Sequence, residues 1–145
     1  MDHTLSAVLG MSMRWVHIVS VVMLIGGFVY ARFVLSPALA TLPGSEREMV
    51  GKRSVRSFRP LLFVVLVTAL GSGMYNYASK TSYPPTYHIW MGIKLLIVLH
   101  IYVSAILYAT RDSNEAKRNR TALSIAIAGF IAIGIADYLR YLSLR

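Results

Sequence analysis

Four runs of mostly apolar residues, each long enough to cross a bilayer, constrain this 145-residue chain more than anything else in it. A spanning helix needs about 20 predominantly apolar residues. Inside hydrocarbon every backbone N–H and C=O must be satisfied within the segment, so runs of this length are expected to be helical. The runs cover residues 5–35 (most apolar over 15–30), 60–77, 88–110 and 121–142. They predict an all-α integral membrane bundle of four transmembrane helices, one domain over 1–145, with the lipid bilayer as its first partner. Pro37 and Pro43 are expected to end the first helix, because proline brings no N–H to a helix interior. Pro60 is suited to open the second helix, and Pro84 and Pro85 part it from the third.

Charge gives the orientation. The net charge is +9, yet only 14% of residues are charged, against roughly 25% in soluble domains. The basic residues sit between apolar runs, which is the inner-membrane pattern and argues against nucleic acid as a partner. Nine of the fifteen lysines and arginines lie in two connections: Arg47, Lys52, Arg53, Arg56 and Arg59, then Arg111, Lys117, Arg118 and Arg120. The opposite side holds Lys80 and Arg145, with Arg14 and Arg140 near helix ends. The positive-inside rule then puts both basic connections in the cytoplasm of a bacterial cell (inner) membrane and both termini outside. Trp15, Trp90, Tyr75, Tyr77, Tyr83, Tyr87, Tyr138 and Tyr141 fall toward the outer side, as an interfacial aromatic belt would. No basic stretch and small-residue cleavage site mark a secretory signal at the N-terminus. With no cysteine, disulfides, thiolate metal sites and cysteine nucleophiles are excluded.

Ionisable residues inside a membrane are costly and point to function. Counting 1.5 Å per residue from the basic end of each helix, Arg14 lies ~27 Å up, Asn76 ~24 Å, Lys94 ~25 Å and Asp137 ~25 Å. Four helices thus contribute one polar level, which we read as an outward-facing basic chamber with Arg14, Lys94 and Asp137 as candidate catalytic residues. Lys94 and Asp137 are the natural ion pair, while Arg14 and Arg140 have the alternative of reaching the outer headgroups.

The histidines supply a cofactor reading. A b-type heme takes axial ligands from facing helices, and imidazole on both sides is one common choice. His17 lies ~22 Å up and His100 ~16 Å up on different helices, an offset that a tilted macrocycle spans. They are therefore the expected ligands of one heme b. His88 is the next candidate, ~12 Å from His17 in depth. Arg14, one turn before His17, is placed to meet a propionate, since guanidinium binds carboxylate bidentately. Gly26-Gly27, Gly71-Ser72-Gly73, Gly129 and Gly134 allow close approach, for a cofactor or for ordinary helix packing on small residues.

The stretch Trp15-Val16-His17-Ile18-Val19-Ser20, with Gly26-Gly27-Phe28-Val29-Tyr30 and Arg32-Phe33, resembles the first helix of the copper-resistance D superfamily. It is most similar to the HemJ-type protoporphyrinogen oxidase branch. The run Trp90-Met91-Gly92-Ile93-Lys94-Leu95-Leu96 resembles that branch's tryptophan-to-lysine-leucine motif. The resemblance implies heme b held by His17, a role for Lys94, and porphyrinogen oxidation or a related redox task.

Two functions are in competition. One is a heme-dependent membrane oxidoreductase whose basic chamber draws in a small anionic substrate, superoxide or a porphyrinogen carboxylate, with quinone in the bilayer as electron partner. The other is copper handling, since Met1-Asp2-His3 places an amine and an imidazole as square-planar copper(II) prefers. A second copy of the chain is a further candidate partner.

Overall fold

The computed structural model describes residues 2–79 and 84–143, with the side chains of residues 2 and 3 excepted. The copper reading at Met1 and His3, and the contributions of Lys80, Tyr83 and Arg145 to the orientation count and the aromatic belt, lie outside the described residues. The described chain is helical throughout: α1 (Asp2–Tyr30), a π-helical turn (Ala31–Leu35), α2 (Ser36–Leu39), α3 (Gly44–Ala78), α4 (Pro85–Thr110) and α5 (Glu115–Leu142). Four of its helices are long and apolar enough to cross a membrane, so the chain is a multi-pass membrane protein.

The short connections set successive helices side by side and antiparallel. α1 lies against α3 and α5, and α4 lies against α5 and α3, so α1 and α4 face each other across the bundle.

Two prolines behave differently from the expectation drawn from sequence. Pro37 does not stop the first helix, which continues through it to Leu39. The π turn just before it explains why: the Ser36 N–H bonds the Ala31 carbonyl, five residues back. That wider turn gives the chain room for a proline ring which the regular i−4 carbonyl would otherwise meet. Pro43 does separate the helices, and α3 starts at Gly44 directly after it. Pro60 does not open α3 but lies inside it. The arginine-rich connection 44–59 is therefore a helical extension of the second span.

That extension is fastened to the start of α5. The Arg47 guanidinium grips the Glu115 carboxylate with Nε to Oε2 at 2.7 Å and Nη2 to Oε1 at 2.8 Å. Lys52 pairs with Asp112 at 3.0 Å and with Glu48, one turn back, at 3.2 Å. Arg118 is buried beneath them, donates Nη1 to the Ser113 carbonyl at 2.9 Å, and packs over Gly51. A Cβ at Gly51 would collide with that guanidinium. Asn114 caps α5 by accepting the Lys117 backbone N–H at 3.0 Å, as a good N-cap does.

The packed core fills the half of the bundle next to this latch. Phe28 is fully buried among Leu24, Leu62, Leu66, Ile101 and Ile125. It meets Phe58 and Tyr108 edge-to-face, at ring-centroid distances of 6.3 and 5.1 Å. Lipid tails are as apolar as leucine, so close fit rather than exclusion from water holds such helices together. Gly129 provides that fit between α5 and α1, where a Cβ would lie 2.6 Å from Ile25 Cγ1. Tyr102 ties α4 to α3 by donating its hydroxyl to the Leu66 carbonyl at 2.7 Å.

Candidate functional site

The other half is built differently. Beyond the level of His17 and Ser72, the only buried side chains among the described residues are those of Tyr87 and Leu139. The helices turn polar groups toward one another there, beside half-buried Met13, Trp90 and Ile135.

His17 belongs to the inward stripe of α1, three residues before buried Ser20 and one turn after half-buried Met13. Across the seam α3 presents Ala69, Ser72, Gly73 and Asn76, spaced three or four apart and so on one face. His17 Nδ1 lies 2.9 Å from the Ala69 carbonyl and 3.3 Å from Ser72 Oγ. A carbonyl only accepts, so Nδ1 carries the hydrogen and Nε2 keeps its lone pair. Gly73 makes room for the ring, since a Cβ there would sit 2.9 Å from Cε1. Ser72 itself donates to the Thr68 carbonyl at 2.5 Å, and Thr68 meets Ser20 at 2.9 Å. A continuous polar strip thus fastens α1 to α3 around His17. Higher in the seam, Asn76 Nδ2 donates to the Met13 carbonyl at 3.4 Å.

Lys94 stands on the inward stripe of α4, with Tyr87, Trp90, Ile101, Ala105 and Tyr108, and is half-buried. Of the polar level expected from depth, Asn76 and Lys94 point inward, as does His17 on α1. Arg14, Asp137 and Arg140 are exposed. Among the described residues no ion pair joins Lys94 to Asp137, which corrects the natural pairing. The depths agree but the faces do not, because Asp137 follows half-buried Ala136 and each residue turns the helix by about 100°.

The two expected ligands are engaged on separate seams. His17 meets α3, whereas His100 is exposed beside α5, with Nε2 3.0 Å from Ser124 Oγ. His88 is also exposed, and its ring lies edge-on to Tyr87 at 6.2 Å. At the same end Trp90 meets Tyr138 edge-to-face at 5.2 Å, and Tyr138 stacks on Tyr141 at 6.4 Å.

For a heme, His17 fits one axial position. Metal-binding imidazoles commonly donate their second N–H to a carbonyl, which fixes tautomer and ring orientation, and His17 makes that bond to Ala69. Among the described residues no three His, Asp or Glu side chains gather as a metal-ligand cluster, whereas heme iron asks for far fewer protein ligands. The Ala69 carbonyl, Ser72 and Thr68 are hydrogen-bonding partners in this seam that reasoning from ionisable residues passed over. The repeat of small and hydroxylated residues from Thr68 to Gly73 was their signal. No protein-family profile matches the chain, and neither a curated protein nor a solved structure is significantly similar to it.

Proposed function

We propose that this protein is a heme b-binding membrane oxidoreductase that serves a small anionic redox substrate, superoxide or a porphyrinogen, from a basic chamber in the histidine half of the bundle. The observation that carries this reading is the His17 ring, held by Nδ1 on the Ala69 carbonyl so that Nε2 is presented as a lone pair. His17 would supply one iron ligand, while His100, exposed on the seam with α5, does not face it. When bound, the heme supplies one-electron chemistry. The chain's own groups do the rest: Lys94, half-buried on the inward stripe of α4, contributes positive potential to this half, Asn76 a polar wall, and the Ser20–Thr68–Ser72 strip a fixed seat for the imidazole. The basic end lies in the cytoplasm of a bacterial inner membrane, so the chamber opens outward, and a quinone in the bilayer is the electron partner.

The test is the visible spectrum and heme content of the purified protein beside its His17→Ala and His100→Ala variants. A b-type Soret band that sharpens on reduction and is lost in His17→Ala is the expected result. A colourless protein, or full heme retention in His17→Ala, overturns the reading. Loss in His17→Ala alone keeps His100 off the iron, and loss in both variants would return it there.

A further inference from the structure

α4 is the least buried of the four spans. Down the middle of its outward face run Ile89, Ile93, Leu96, His100, Val103 and Leu107, all exposed and alternately four and three residues apart. At 1.5 Å per residue the line is ~27 Å long, close to the thickness of a hydrocarbon layer. Its spacing is that of the seam along which two helices wind round each other. Spacing alone suits lipid tails as well as a second helix, and His100 decides between them. It is the one polar member of the line, and it lies ~16 Å from the basic end of α4, near the middle of a layer about 30 Å thick. Its Nε2 lies 3.0 Å from Ser124 Oγ, while its Nδ1 has no partner among the described residues. A polar atom left unbonded there is costly, and a phospholipid carries its phosphate and ester carbonyls at the edges of the layer, out of reach.

The occupant of this face must therefore be a helix that brings a polar group to the same depth. A second copy of the chain, inserted in the same orientation, brings its own His100 there. We propose that this face of α4 is a homodimer interface, in which two α4 helices pack in parallel about a twofold axis and the two His100 side chains hydrogen-bond across it. Histidine is one of the residues that join membrane helices in this way. The hydrogens balance, because a neutral imidazole donates from one nitrogen and accepts at the other. One His100 donates its Nδ1–H to Nδ1 of the partner's His100 and accepts the Ser124 hydroxyl at Nε2. The partner's His100 accepts at Nδ1 and donates its Nε2–H to its own Ser124. A serine hydroxyl serves either role, so each copy can take either part. A single polar residue in an otherwise apolar seam also fixes register, since any slip would leave both imidazoles in hydrocarbon. The interface uses none of the His17 seam and does not depend on a heme.

The test uses the full chain in phosphatidylcholine vesicles at increasing dilution in lipid. The chain has no cysteine, so single cysteines report the interface without background. Leu96→Cys and Val103→Cys, on the seam, should cross-link to dimers on oxidation. Leu95→Cys, equally apolar and exposed but turned ~100° away, should not. Single-molecule photobleaching of labelled protein should show two steps, giving way to one only at high dilution. His100→Leu should weaken the dimer about fivefold, within the range measured for hydrogen bonds between membrane helices. His100→Asn, which keeps a donor and an acceptor at that position, should hold the dimer and so separate lost bonding from lost folding. One-step bleaching of the unaltered chain at every dilution overturns the proposal and marks the face as lipid-covered. Cross-linking at Leu95→Cys as readily as at Leu96→Cys, three-step bleaching, or a dimer indifferent to His100→Leu overturns it as well. The visible spectrum of the same samples reports the heme reading separately: a dimer without heme sinks that reading alone, and a monomer with a b-type spectrum sinks the interface alone.

Discussion

The basic half and the histidine half of this bundle are made from the same four helices but use them in opposite ways. In the basic half the inward stripes carry Leu24, Phe28, Leu62, Val65, Ile101, Ala105 and Ile125, closely interlocked. Charges there stand at the margin, and two of the cations are paired across helices, Arg47 with Glu115 and Lys52 with Asp112. In the histidine half the inward positions go to His17, Ser72, Asn76 and Lys94, few side chains are buried, and Lys94 meets no carboxylate among the described residues. One half spends its stripe on packing and holds the four helices in register. The other spends it on groups that are costly in hydrocarbon and useful only if something binds them. That division is a familiar compromise: a rigid element positions a site whose own residues contribute little to stability.

Four experiments probe the contrast. The largest effect is expected at Phe28→Ala, which opens a hole where four helices meet. It should destabilise the protein by about 3 kcal/mol in a detergent-unfolding titration, the low end for a buried phenylalanine because the surrounding lipid is itself apolar. A loss near zero would mean that the basic half is not the packing core. Gly129→Ala comes next, at about 2 kcal/mol, since the added methyl forces Ile25 and with it α1 away from α5. Gly134→Ala, with nothing within 4 Å of its Cβ position, is the matched control and should be silent.

A smaller effect belongs to the latch. A double-mutant cycle on Arg47→Ala and Glu115→Ala should give a coupling of about 1 kcal/mol, because the pair is close and hydrogen-bonded but a third exposed on the Arg47 side. The coupling should shrink when sodium chloride is raised to about 1 M. A salt-independent coupling would indicate a pair cut off from water. The smallest effect is expected in the histidine half. Lys94→Met and Asp137→Asn should act additively, within about 0.5 kcal/mol, because the two side chains do not meet. A coupling well above that would restore the ion pair expected from depth alone and erase the difference between the halves. Lys94→Met on its own should hold or slightly raise stability, since it removes an ammonium from an interior position without orphaning a partner.

Both the successes and the misses of reading the sequence have physical causes. Hydropathy located the four spans because hydrocarbon thickness fixes how many apolar residues a helix must string together. Proline was the weaker guide. Pro37 and Pro60 both lie within continuous helix, the first beside a π turn that the residue types alone do not announce. Depth, computed from rise per residue, placed Arg14, Asn76 and Lys94 at a common level, and of these Asn76 and Lys94 face inward while Arg14 is exposed. The same arithmetic placed Asp137 with them, yet depth says nothing about azimuth, and Asp137 is turned outward. Helical periodicity carried part of the missing information: Lys94 continues the stripe through Ile101, Ala105 and Tyr108, while His100 falls off it.

The sequence by itself therefore determined the fold class, the membrane setting and the shortlist of chemically active residues. Those follow from local quantities: hydrophobic length, charge count and residue type. Only the tertiary structure decided which helices are neighbours, and so which member of the shortlist has a partner. The His17 tautomer depends on a carbonyl 52 residues away, at Ala69. The separation of His17 from His100 depends on α1 seating against α3 while α4 seats against α5. Such contacts are fixed by how small residues at Gly73 and Gly129 let particular pairs of helices close up. That is a property of two surfaces fitting together, and no single stretch of sequence contains it.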